Sequence, residues 1–449
     1  MTLAARPRAP HILIFGVAAL LVGCAQTPAP SKEAPPSVAT CPDGVPAEAR
    51  CLRGQDSAGA HYLIVVPKDW NRMLVVHAHG GPTLGEPKAS RADEDIKRWA
   101  ITVRAGYAWA GSVFRQGGVA VRSAAEDTER VRRIFVEHVA QPTLTLLHGQ
   151  SWGANVAAKA AEMYAAPGQR SPYAGVLLSS GVLAGGTRSY DFRLDLRVVY
   201  QFLCNNHPRP DEPQYPLWMG LPVDSKLTRA ELAARVDECL GVRKPAAQRT
   251  PEQASRLKTV VDVIRIPETS VIAHLNWATW HFQDIVQNRT GGLNPFDNAQ
   301  VRYTGSTDDA ALNAGVLRYR ADPRAVATFG ADTDLTGRIG IPVLTVHGIG
   351  DPTAFVELQS AFRRTMEGAG TASRLVQVLS DHRDHSYLSD PTYAALFDAL
   401  VRWAQEGDKP TPAGLARLCK TYEARFGPGC RLLPDYQPAP LETRVAPRR

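Results

Sequence analysis

Short apolar runs alternate with longer stretches of helical period along this chain. From about residue 61 the runs are HYLIVVP, MLVVHAHGG, YAWAGSVFR, LTLLHG and YAGVLLSSG, with a helical pattern near residues 124–139 and another after LTLLHG. Each run is almost continuously apolar, which is typical of strands covered on both faces. The alternation predicts an α/β fold, a mostly parallel sheet flanked by helices.

A second set of runs follows far downstream. IPVLTVHG (341–348) and SRLVQVLS (373–380) predict two more strands, and a helical pattern extends from about Pro391 to Gln405. The stretch 186–335 between the two sets contains several prolines and tryptophans and shows no strand alternation. We therefore expect a large, mainly helical insertion between the two parts of the sheet.

Composition excludes several classes of protein. The 449 residues are 44% hydrophobic and 21% charged, enough for a large core, and no fixed repeat recurs along them. The formal net charge of +7 is spread along the chain, without a cluster of Lys and Arg interleaved with aromatics. We expect no nucleic acid partner.

The N-terminus has the pattern of an export signal. Arg6 and Arg8 precede an apolar run, Ile12–Val22, whose 11 residues are too few for a transmembrane helix, which needs about 20. LVGC, ending at Cys24, resembles the lipobox of bacterial lipoproteins. The resemblance implies a signal peptide over 1–23 and a lipid on the Cys24 sulfur; plain secretion is the alternative.

The residues after Cys24 predict where the protein is held. Ala25, rather than Asp, follows the cysteine, which in a Gram-negative host resembles outer-membrane sorting. Residues 24–57 begin with Pro-, Ala- and Ser-rich sequence and are interpreted as a flexible tether. We therefore expect a lipid-anchored protein of the bacterial cell envelope, with the membrane as a partner.

Six further cysteines fall into three couples that are close in sequence. An exported chain folds in an oxidising compartment, so an even number of cysteines predicts disulfides. Fifteen pairings of six cysteines exist, and sequence proximity alone selects among them. Neither Cys-x-x-Cys nor a neighbouring histidine ligand occurs, so we expect no metal site there. The predicted pairs are Cys41–Cys51, Cys204–Cys239 and Cys419–Cys430.

One turn carries the strongest chemical signal. Gly149-Gln150-Ser151-Trp152-Gly153 is a G-x-S-x-G sequence between the predicted strand LTLLHG and the helix after it. Glycines on either side allow a turn in which the serine is exposed above the sheet. The positive end of the helix favours negative charge developing nearby. We predict Ser151 as a nucleophile, against the alternative of a chance glycine-serine turn.

A serine nucleophile needs a base and a group that orients the base. Asp351 follows the predicted strand IPVLTVHG, where its carboxylate could hold an imidazole N–H. His382 and His385 both follow the strand SRLVQVLS. We favour His385 because it lies immediately before the closing helix, and His382 is the alternative.

The tetrahedral intermediate also needs backbone donors. HAHGGP, residues 77–82, ends a predicted strand with two glycines, and we predict the amides of Gly81 and Trp152 as the oxyanion hole. His77 and His79 form an H-x-H pair that could suggest zinc. Without a third ligand pattern, His79 is interpreted as a structural histidine, and no metal is expected.

HGGP, GQSWGA, VHGIGDP and DHSY together resemble the α/β-hydrolase superfamily, in the order Ser, Asp, His. The resemblance covers 58–185 and 336–409, which it implies are one catalytic domain, with 186–335 as its cap or lid and 410–449 as a C-terminal tail. HGGP with GxSWG is also similar to the prolyl aminopeptidase branch. The chain departs from that branch at Thr83, where the motif continues with glycine.

Three functional hypotheses follow. The first is a serine esterase acting on a small-molecule ester through an acyl-enzyme; the second is a serine aminopeptidase of the prolyl or tripeptidyl type, acting on a peptide. The third is a non-catalytic surface lipoprotein that binds through its cap. No dinucleotide or P-loop motif occurs, so no cofactor is expected. The second hypothesis needs cap carboxylates for the substrate ammonium, and the candidates are Asp191, Asp195, Asp211 and Glu212.

Aromatic residues of the insertion have two interpretations. They could line an apolar pocket above Ser151, or they could form the core of the insertion itself. The first interpretation would favour apolar acyl or aryl groups in the substrate. The residues concerned are Tyr215, Trp218, Trp277, Trp280 and Phe282.

Overall fold

The computed structural model of the protein describes residues 1–2, 33–385 and 387–448. The chain divides into two units, Met1–Lys32 and Glu33–Arg449, and the helices and strands described below belong to the second unit. The predicted signal peptide and Cys24 lie outside the described residues. The strands are β1 (Ser37–Ala39), β2 (Arg50–Gln55), β3 (His61–Val66), β4 (Met73–Ala78), β5 (Ala108–Ser112), β6 (Leu144–Gln150), β7 (Gly175–Ser179), β8 (Val343–Gly348), β9 (Leu375–Ser380) and β10 (Leu432–Leu433).

These strands form one sheet whose order differs from their order in the chain. The order is β1-β2-β3-β5-β4-β6-β7-β8-β9-β10. The central strands, from β5 to β9, are parallel, whereas β1, β2, β3 and β10 pair antiparallel towards the two edges. This exchange of β4 and β5 in a mostly parallel sheet, with a serine turn after β6, is the α/β-hydrolase fold. The predicted fold class is confirmed.

Helices cover both faces of the sheet and fill the long connection between β7 and β8. The helices are α1 (Arg91–Arg104), α2 (Val121–His138), α3 (Trp152–Tyr164), α4 (Gly186–Ser189), α5 (Asp191–Cys204), α6 (Arg229–Leu240), α7 (Pro251–Ile264), α8 (Val271–Asn276), α9 (Phe282–Asp284), α10 (Asp309–Gly315), α11 (Pro323–Thr333), α12 (Leu358–Gly368), α13 (Asp390–Glu406) and α14 (Pro412–Phe426). A π-helical segment lies on either side of α9, at Trp277–His281 and Ile285–Arg289.

The core consists of two layers, one on each face of the sheet. Successive strand residues point to opposite faces, so Leu146 packs with α1 and α13, and Leu147 packs with α2, α3 and α12. The helix α3 is rich in buried alanine, whose small side chain lets the helix approach the sheet closely. Continuous apolar runs are therefore required in the central strands, as the sequence pattern predicted.

The predicted tether over 24–57 is wrong for its described part. Residues 37–39 and 50–55 are β1 and β2, which extend the sheet beyond β3, and the side chain of Glu33 is buried against Ser57. β2 lies next to the edge strand β1, buries only Cys51 and Leu52, and lacks the long apolar run of a central strand.

The insertion between β7 and β8 is helical, as predicted. The described part of residues 186–335 contains α4 to α11 and no strand. It has a core of its own, in which Leu196, Val236 and Phe282 are fully buried. Capping boxes at Thr228 and Thr250 begin α6 and α7 by binding the first free amides of each helix. We refer to α4 to α11 and their connections as the cap.

The C-terminal residues are fixed to both the sheet and the cap. Helix α14 packs on α13, and β10 adds an antiparallel strand to β9. Further on, Arg444 pairs with Glu357 ahead of α12, and Arg448 Nη2 lies 2.5 Å from Asp195 Oδ2 in the cap. The side chain of Arg448 is only 3% exposed. These contacts hold the described C-terminal residues against both the sheet and the cap.

Three disulfides join cysteines that are 10, 35 and 11 residues apart in the sequence. They join Cys41 to Cys51, Cys204 to Cys239 and Cys419 to Cys430, which are the three pairs predicted from sequence proximity. Cys204–Cys239 joins the last residue of α5 to α6, and Cys419–Cys430 joins α14 to the loop before β10. In the described part of the chain, we find no helix with the length and hydropathy needed to span a bilayer.

Candidate active site

Ser151 lies at a sharp turn between β6 and α3. Its backbone has φ of 58° and ψ of −122°, a region that side-chain-bearing residues seldom adopt. The turn is fixed by hydrogen bonds of its own amide to Ser179 O and of Val182 N–H to Ser151 O. The strained conformation lifts the Ser151 hydroxyl above the carboxyl edge of the parallel strands.

The two glycines of the motif are required by close packing. A Cβ on Gly149 would lie 2.1 Å from Gly153 O, and a Cβ on Gly153 would lie 2.1 Å from Ala78 O. Both distances are far below van der Waals contact. The first turn of α3 can therefore lie directly against β4 and β6 only where these two positions lack a side chain.

His385 and Asp351 complete a hydrogen-bonded series with the serine. His385 Nε2 lies 2.8 Å from Ser151 Oγ, and His385 Nδ1 lies 2.8 Å from Asp351 Oδ2. Ser151 follows β6, Asp351 follows β8 and His385 follows β9, so the ends of these parallel strands bring the side chains together at one edge of the sheet. His382 instead binds Ser380 Oγ through Nδ1, and its carbonyl accepts the amide of Gly350.

The carboxylate of Asp351 is buried and fully engaged. Its Oδ1 accepts the amides of Thr353 and Ala354 at 2.8 and 2.9 Å, and its Oδ2 lies 3.4 Å from His347 Nε2. Burial by itself would raise the pKa of Asp351, but the hydrogen bonds with His347 and His385 lower it well below the usual range. The carboxylate therefore stays ionised and can stabilise a positive charge on His385.

A buried network of polar groups surrounds His347, which lies beside Asp351. Gln359 Nε2 donates to His347 Nδ1 at 3.0 Å, and Gln359 Oε1 accepts from Thr345 and Gln377. Because Nδ1 of His347 is an acceptor, its proton is on Nε2, which faces Ala354 O at 2.8 Å and Asp351. Sequence reasoning missed both residues: His347 lies within VHGIGDP, of which only Asp351 was given a role, and Gln359 belongs to no motif.

The predicted oxyanion donors line the same cavity as Ser151. Trp152 is the first residue of α3, so its amide has no partner within the helix. The Gly80 carbonyl accepts from His79 Nδ1 and from Arg91 Nη2. Since N–H and C=O of a trans peptide point in opposite directions, these bonds turn the Gly81 amide away from His79 and Arg91.

The two histidines of the H-x-H pair are buried. Burial lowers the pKa of His79 to about 4, so its ring is neutral and its proton on Nδ1 serves Gly80. His77 Nδ1 lies 3.0 Å from His148 Nδ1 within the core. Among the residues that the structure describes, no group of three or more His, Cys, Asp or Glu side chains is arranged to hold a metal ion.

A cavity of about 520 Å³ opens over Ser151 and His385. Its floor is formed by the sheet edge and its roof by the cap, through Tyr190, Arg193 and Trp277. His281 Nε2 donates to Pro82 O at 3.1 Å and so joins the cap to the loop after β4 that contains Gly80 and Gly81. The charged residues of its described lining, histidines aside, are Arg91, Arg98 and Arg193, and no Asp or Glu is among them.

Of the five aromatic residues considered from the sequence, Trp277 lines this cavity. Phe282 is fully buried and stacks on Phe296 in the core of the cap. Trp218 and Trp280 pack against that core, and Tyr215 borders a different cavity. Both interpretations of these aromatics are therefore partly right, because one face of the cap helices covers the site while the other forms the cap's own core.

The acidic residues considered for ammonium binding lie elsewhere. Asp191 and Asp195 face Arg448 of the C-terminal tail, and Glu212 pairs with Arg235. Asp211 is exposed. None of the four is among the lining residues of the cavity over Ser151.

No family model matches the chain, and no curated protein matches it in sequence. Solved structures with a similar fold include an esterase from Aspergillus oryzae, at 12% identity and a TM-score of 0.42, over 84% of this chain and 86% of that one. Feruloyl esterase B from Aspergillus oryzae has 14% identity and a TM-score of 0.41, over 83% and 87%. An esterase from Pyrococcus furiosus has 11% identity and a TM-score of 0.40, over 88% and 99%.

Proposed function

We propose that this chain, which has the α/β-hydrolase fold, is an exported serine hydrolase that cleaves carboxylic esters. The observation that carries the proposal is the series Asp351–His385–Ser151, with hydrogen bonds of 2.8 Å at both ends of the imidazole. A serine, a base and an orienting carboxylate in this arrangement are what nucleophilic acyl transfer requires. The position of Ser151 on the floor of a cavity gives a substrate access to it.

In the first half of the proposed reaction, Ser151 Oγ attacks the ester carbonyl carbon while its proton moves to His385 Nε2. The carbonyl π electrons move onto oxygen, and the amides of Gly81 and Trp152 bind the resulting oxyanion, each contributing about 3 kcal/mol. Collapse of this intermediate breaks the bond to the alcohol oxygen. His385 gives its proton to that oxygen, and the alcohol leaves behind an acyl-serine.

In the second half, water attacks the acyl-serine and its proton moves to His385 Nε2. The second oxyanion collapses with cleavage of the carbon–Oγ bond, and His385 returns the proton to Ser151. Asp351 stays ionised throughout and stabilises the imidazolium, because its pKa is held below the usual range. The carboxylic acid product then leaves the cavity.

The aminopeptidase hypothesis has less support than the esterase hypothesis. An aminopeptidase must neutralise the ammonium group of its substrate, and the charged lining of the described cavity is made of arginines. Cationic side chains would repel an ammonium group. The non-catalytic hypothesis leaves the strained Ser151 conformation without a purpose, since such strain concentrates at functional sites.

We further propose that the protein is lipid-anchored in the bacterial cell envelope through Cys24. The three disulfides support an oxidising compartment. Growth of the producing cells with an alkynyl fatty acid should label the native protein and leave Cys24→Ser unlabelled. Equal labelling of the two proteins would contradict the anchor, and secretion without lipid would replace it.

The proposed reaction is tested by comparing the mature protein with Ser151→Ala. A fluorophosphonate probe should label the native enzyme and leave the variant unlabelled, and hydrolysis of 4-nitrophenyl esters should fall by about 10³-fold or more. Ser373→Ala, at an exposed serine, serves as the control and should match the native enzyme. Equal hydrolysis by native enzyme and Ser151→Ala would contradict the mechanism. Aminoacyl-4-nitroanilides in the same assay distinguish peptidase from esterase activity.

A further inference from the structure

Arg193 is a buried cation in the roof of the cavity. It belongs to the first turn of α5, and only 5% of its surface is exposed. It lines the same cavity as Ser151 and His385. A fully buried guanidinium is rare in folded proteins unless an anion accompanies it.

Within the described structure, no carboxylate lies within ion-pair distance of Arg193. Its hydrogen bond is a long one, 3.5 Å from Nη1 to Ser189 O, and its Nε has no partner among the described residues. The buried Arg448 differs, since its Nη2 lies 2.5 Å from Asp195 Oδ2. Most of the five N–H donors of Arg193 are therefore left for a ligand.

Aromatic rings hold the Arg193 guanidinium in place. Its Cζ lies 4.4 Å from the ring centre of Trp277, 4.6 Å from Phe192 and 5.4 Å from Tyr190. These rings stabilise a cation through their faces but supply no hydrogen-bond acceptor for its N–H edges. Burial lowers the pKa of Arg193 only to about 10, so the group is charged at neutral pH.

The rest of the cavity does not neutralise this charge. Arg91 is already bound to Glu94, Asp95 and the Gly80 carbonyl. Arg98 is exposed at the cavity and adds to the positive potential. A site with this lining attracts a negatively charged group and holds it best where water is excluded, at Arg193.

We propose that Arg193 recognises a carboxylate on the substrate, so that the enzyme prefers esters bearing a free carboxylate, such as half-esters of dicarboxylic acids. The inference rests on the proposed function, because it concerns the cavity above Ser151. The planar guanidinium binds a carboxylate through two parallel N–H···O bonds, and its aromatic cradle orients it in advance. The carboxylate belongs either to the acyl half or to the alcohol half of the ester.

Two pairs of substrates test the preference and locate the carboxylate. Mono-4-nitrophenyl adipate and 4-nitrophenyl hexanoate share the six-carbon acyl chain and differ in charge on the acyl side. Sodium 4-acetoxybenzoate and its methyl ester differ in charge on the alcohol side. The native enzyme should show kcat/KM at least about tenfold higher for the charged member of one pair. Equal rates within both pairs would overturn the inference.

Arg193→Met removes the charge and keeps much of the side-chain volume. It should abolish the preference by lowering kcat/KM for the charged ester about tenfold to hundredfold, while the neutral ester changes less than threefold. Arg193→Lys should retain part of the preference. Arg229→Met is the control, because Arg229 also lies over a tryptophan, Trp280, but is exposed outside the cavity.

A purely structural role of Arg193 gives a different result. Arg193→Met would then lower kcat/KM for charged and neutral esters equally and would slow fluorophosphonate labelling of Ser151.

Binding to Ser151→Ala separates this inference from the proposed function, since binding needs no turnover. By calorimetry, this variant should bind the charged member at least about tenfold more tightly than the neutral member in one of two pairs: monomethyl and dimethyl adipate, or sodium 4-acetoxybenzoate and its methyl ester. Equal affinities within both pairs would overturn the inference even if ester hydrolysis is demonstrated.

Discussion

Gln359 fixes the tautomer of His347 by donating from Nε2 to His347 Nδ1 at 3.0 Å. The proton of His347 is thereby placed on Nε2, towards Ala354 O and the carboxylate of Asp351. Gln359 cannot rotate to offer its oxygen instead, because that oxygen already accepts from Thr345 and Gln377. A side chain of α12 thus holds the acid of the proposed triad through one intermediate ring.

Replacement of Gln359 should therefore reduce turnover more than binding. In Gln359→Leu, His347 Nδ1 loses its donor and the Asp351 side chain loses a fixed neighbour, so kcat should fall about tenfold with KM within twofold. Steady-state kinetics on a 4-nitrophenyl ester measure both constants. Thr345→Val is the matched control, because it removes one hydrogen bond to Gln359 and leaves the bond between Gln359 and His347. If kcat falls as much in this control as in Gln359→Leu, the result would contradict a specific role for the His347 tautomer.

The two histidines after β9 should differ sharply in importance. His385→Ala removes the imidazole that lies 2.8 Å from Ser151 Oγ, and kcat/KM should fall by about 10⁴-fold or more. His382→Ala removes only the side-chain contact with Ser380, and kcat/KM should fall less than tenfold. Ester hydrolysis by the two purified variants measures the difference. A greater loss in His382→Ala would overturn the assignment of the base.

A single added methyl group at Gly153 should disrupt the serine turn. Its Cβ would lie 2.1 Å from Ala78 O and 2.4 Å from His79 O, which are backbone atoms of β4 and the loop after it. Gly153→Ala should lower the free energy of unfolding by about 1 to 3 kcal/mol and slow fluorophosphonate labelling. Gly368→Ala is the control, since a Cβ there meets nothing within 4 Å. Equal urea midpoints for the two variants would contradict the packing argument.

Asp95 should make stability depend on pH. Burial raises the pKa of Asp95 to about 7, although Arg91 and Arg98 act in the opposite direction. An unfolded aspartate titrates at about 3.9, so the folded state binds more protons between about pH 4 and pH 7. The contribution of Asp95 protonation to the free energy of unfolding is therefore complete below about pH 4 and is lost as the pH rises through 7.

Asp95→Asn removes that dependence. Relative to the native protein, the variant's free energy of unfolding should rise by about 1 to 4 kcal/mol between pH 4 and pH 8. Urea unfolding at several pH values measures this difference, and exposed Asp224→Asn should track the native protein. A constant difference between Asp95→Asn and the native protein across this range would contradict the shifted titration.

The sequence predicted the central sheet because buried parallel strands leave a strong apolar signal. Runs such as LTLLHG correspond to strands within one to three residues at each end. The edge strands β1 and β10 were missed because they are three and two residues long and are largely exposed or half exposed. Sequence patterns carry little information where burial is slight.

The candidate site was predictable to the extent that its residues lie in local motifs. Ser151, Gly81 and Trp152 belong to turns whose glycines are visible in the sequence. His347, Gln359 and Arg193 were not predictable, because their significance comes from neighbours brought together by β8, α12 and the cap. The prediction of His385 as the base depended on the ends of β6 and β9 lying at the same edge of the sheet. Local sequence patterns indicate such an arrangement only indirectly.

The pairing of Arg448 with Asp195 spans 253 positions of the chain. A ribosome makes Asp191 and Asp195 long before it makes the arginine that neutralises them. The cap therefore cannot complete its packing until Arg448 has been synthesised and has left the ribosome. Premature termination before Arg448 would remove this cation from beside the buried Asp195 carboxylate, a defect of about 3 to 5 kcal/mol.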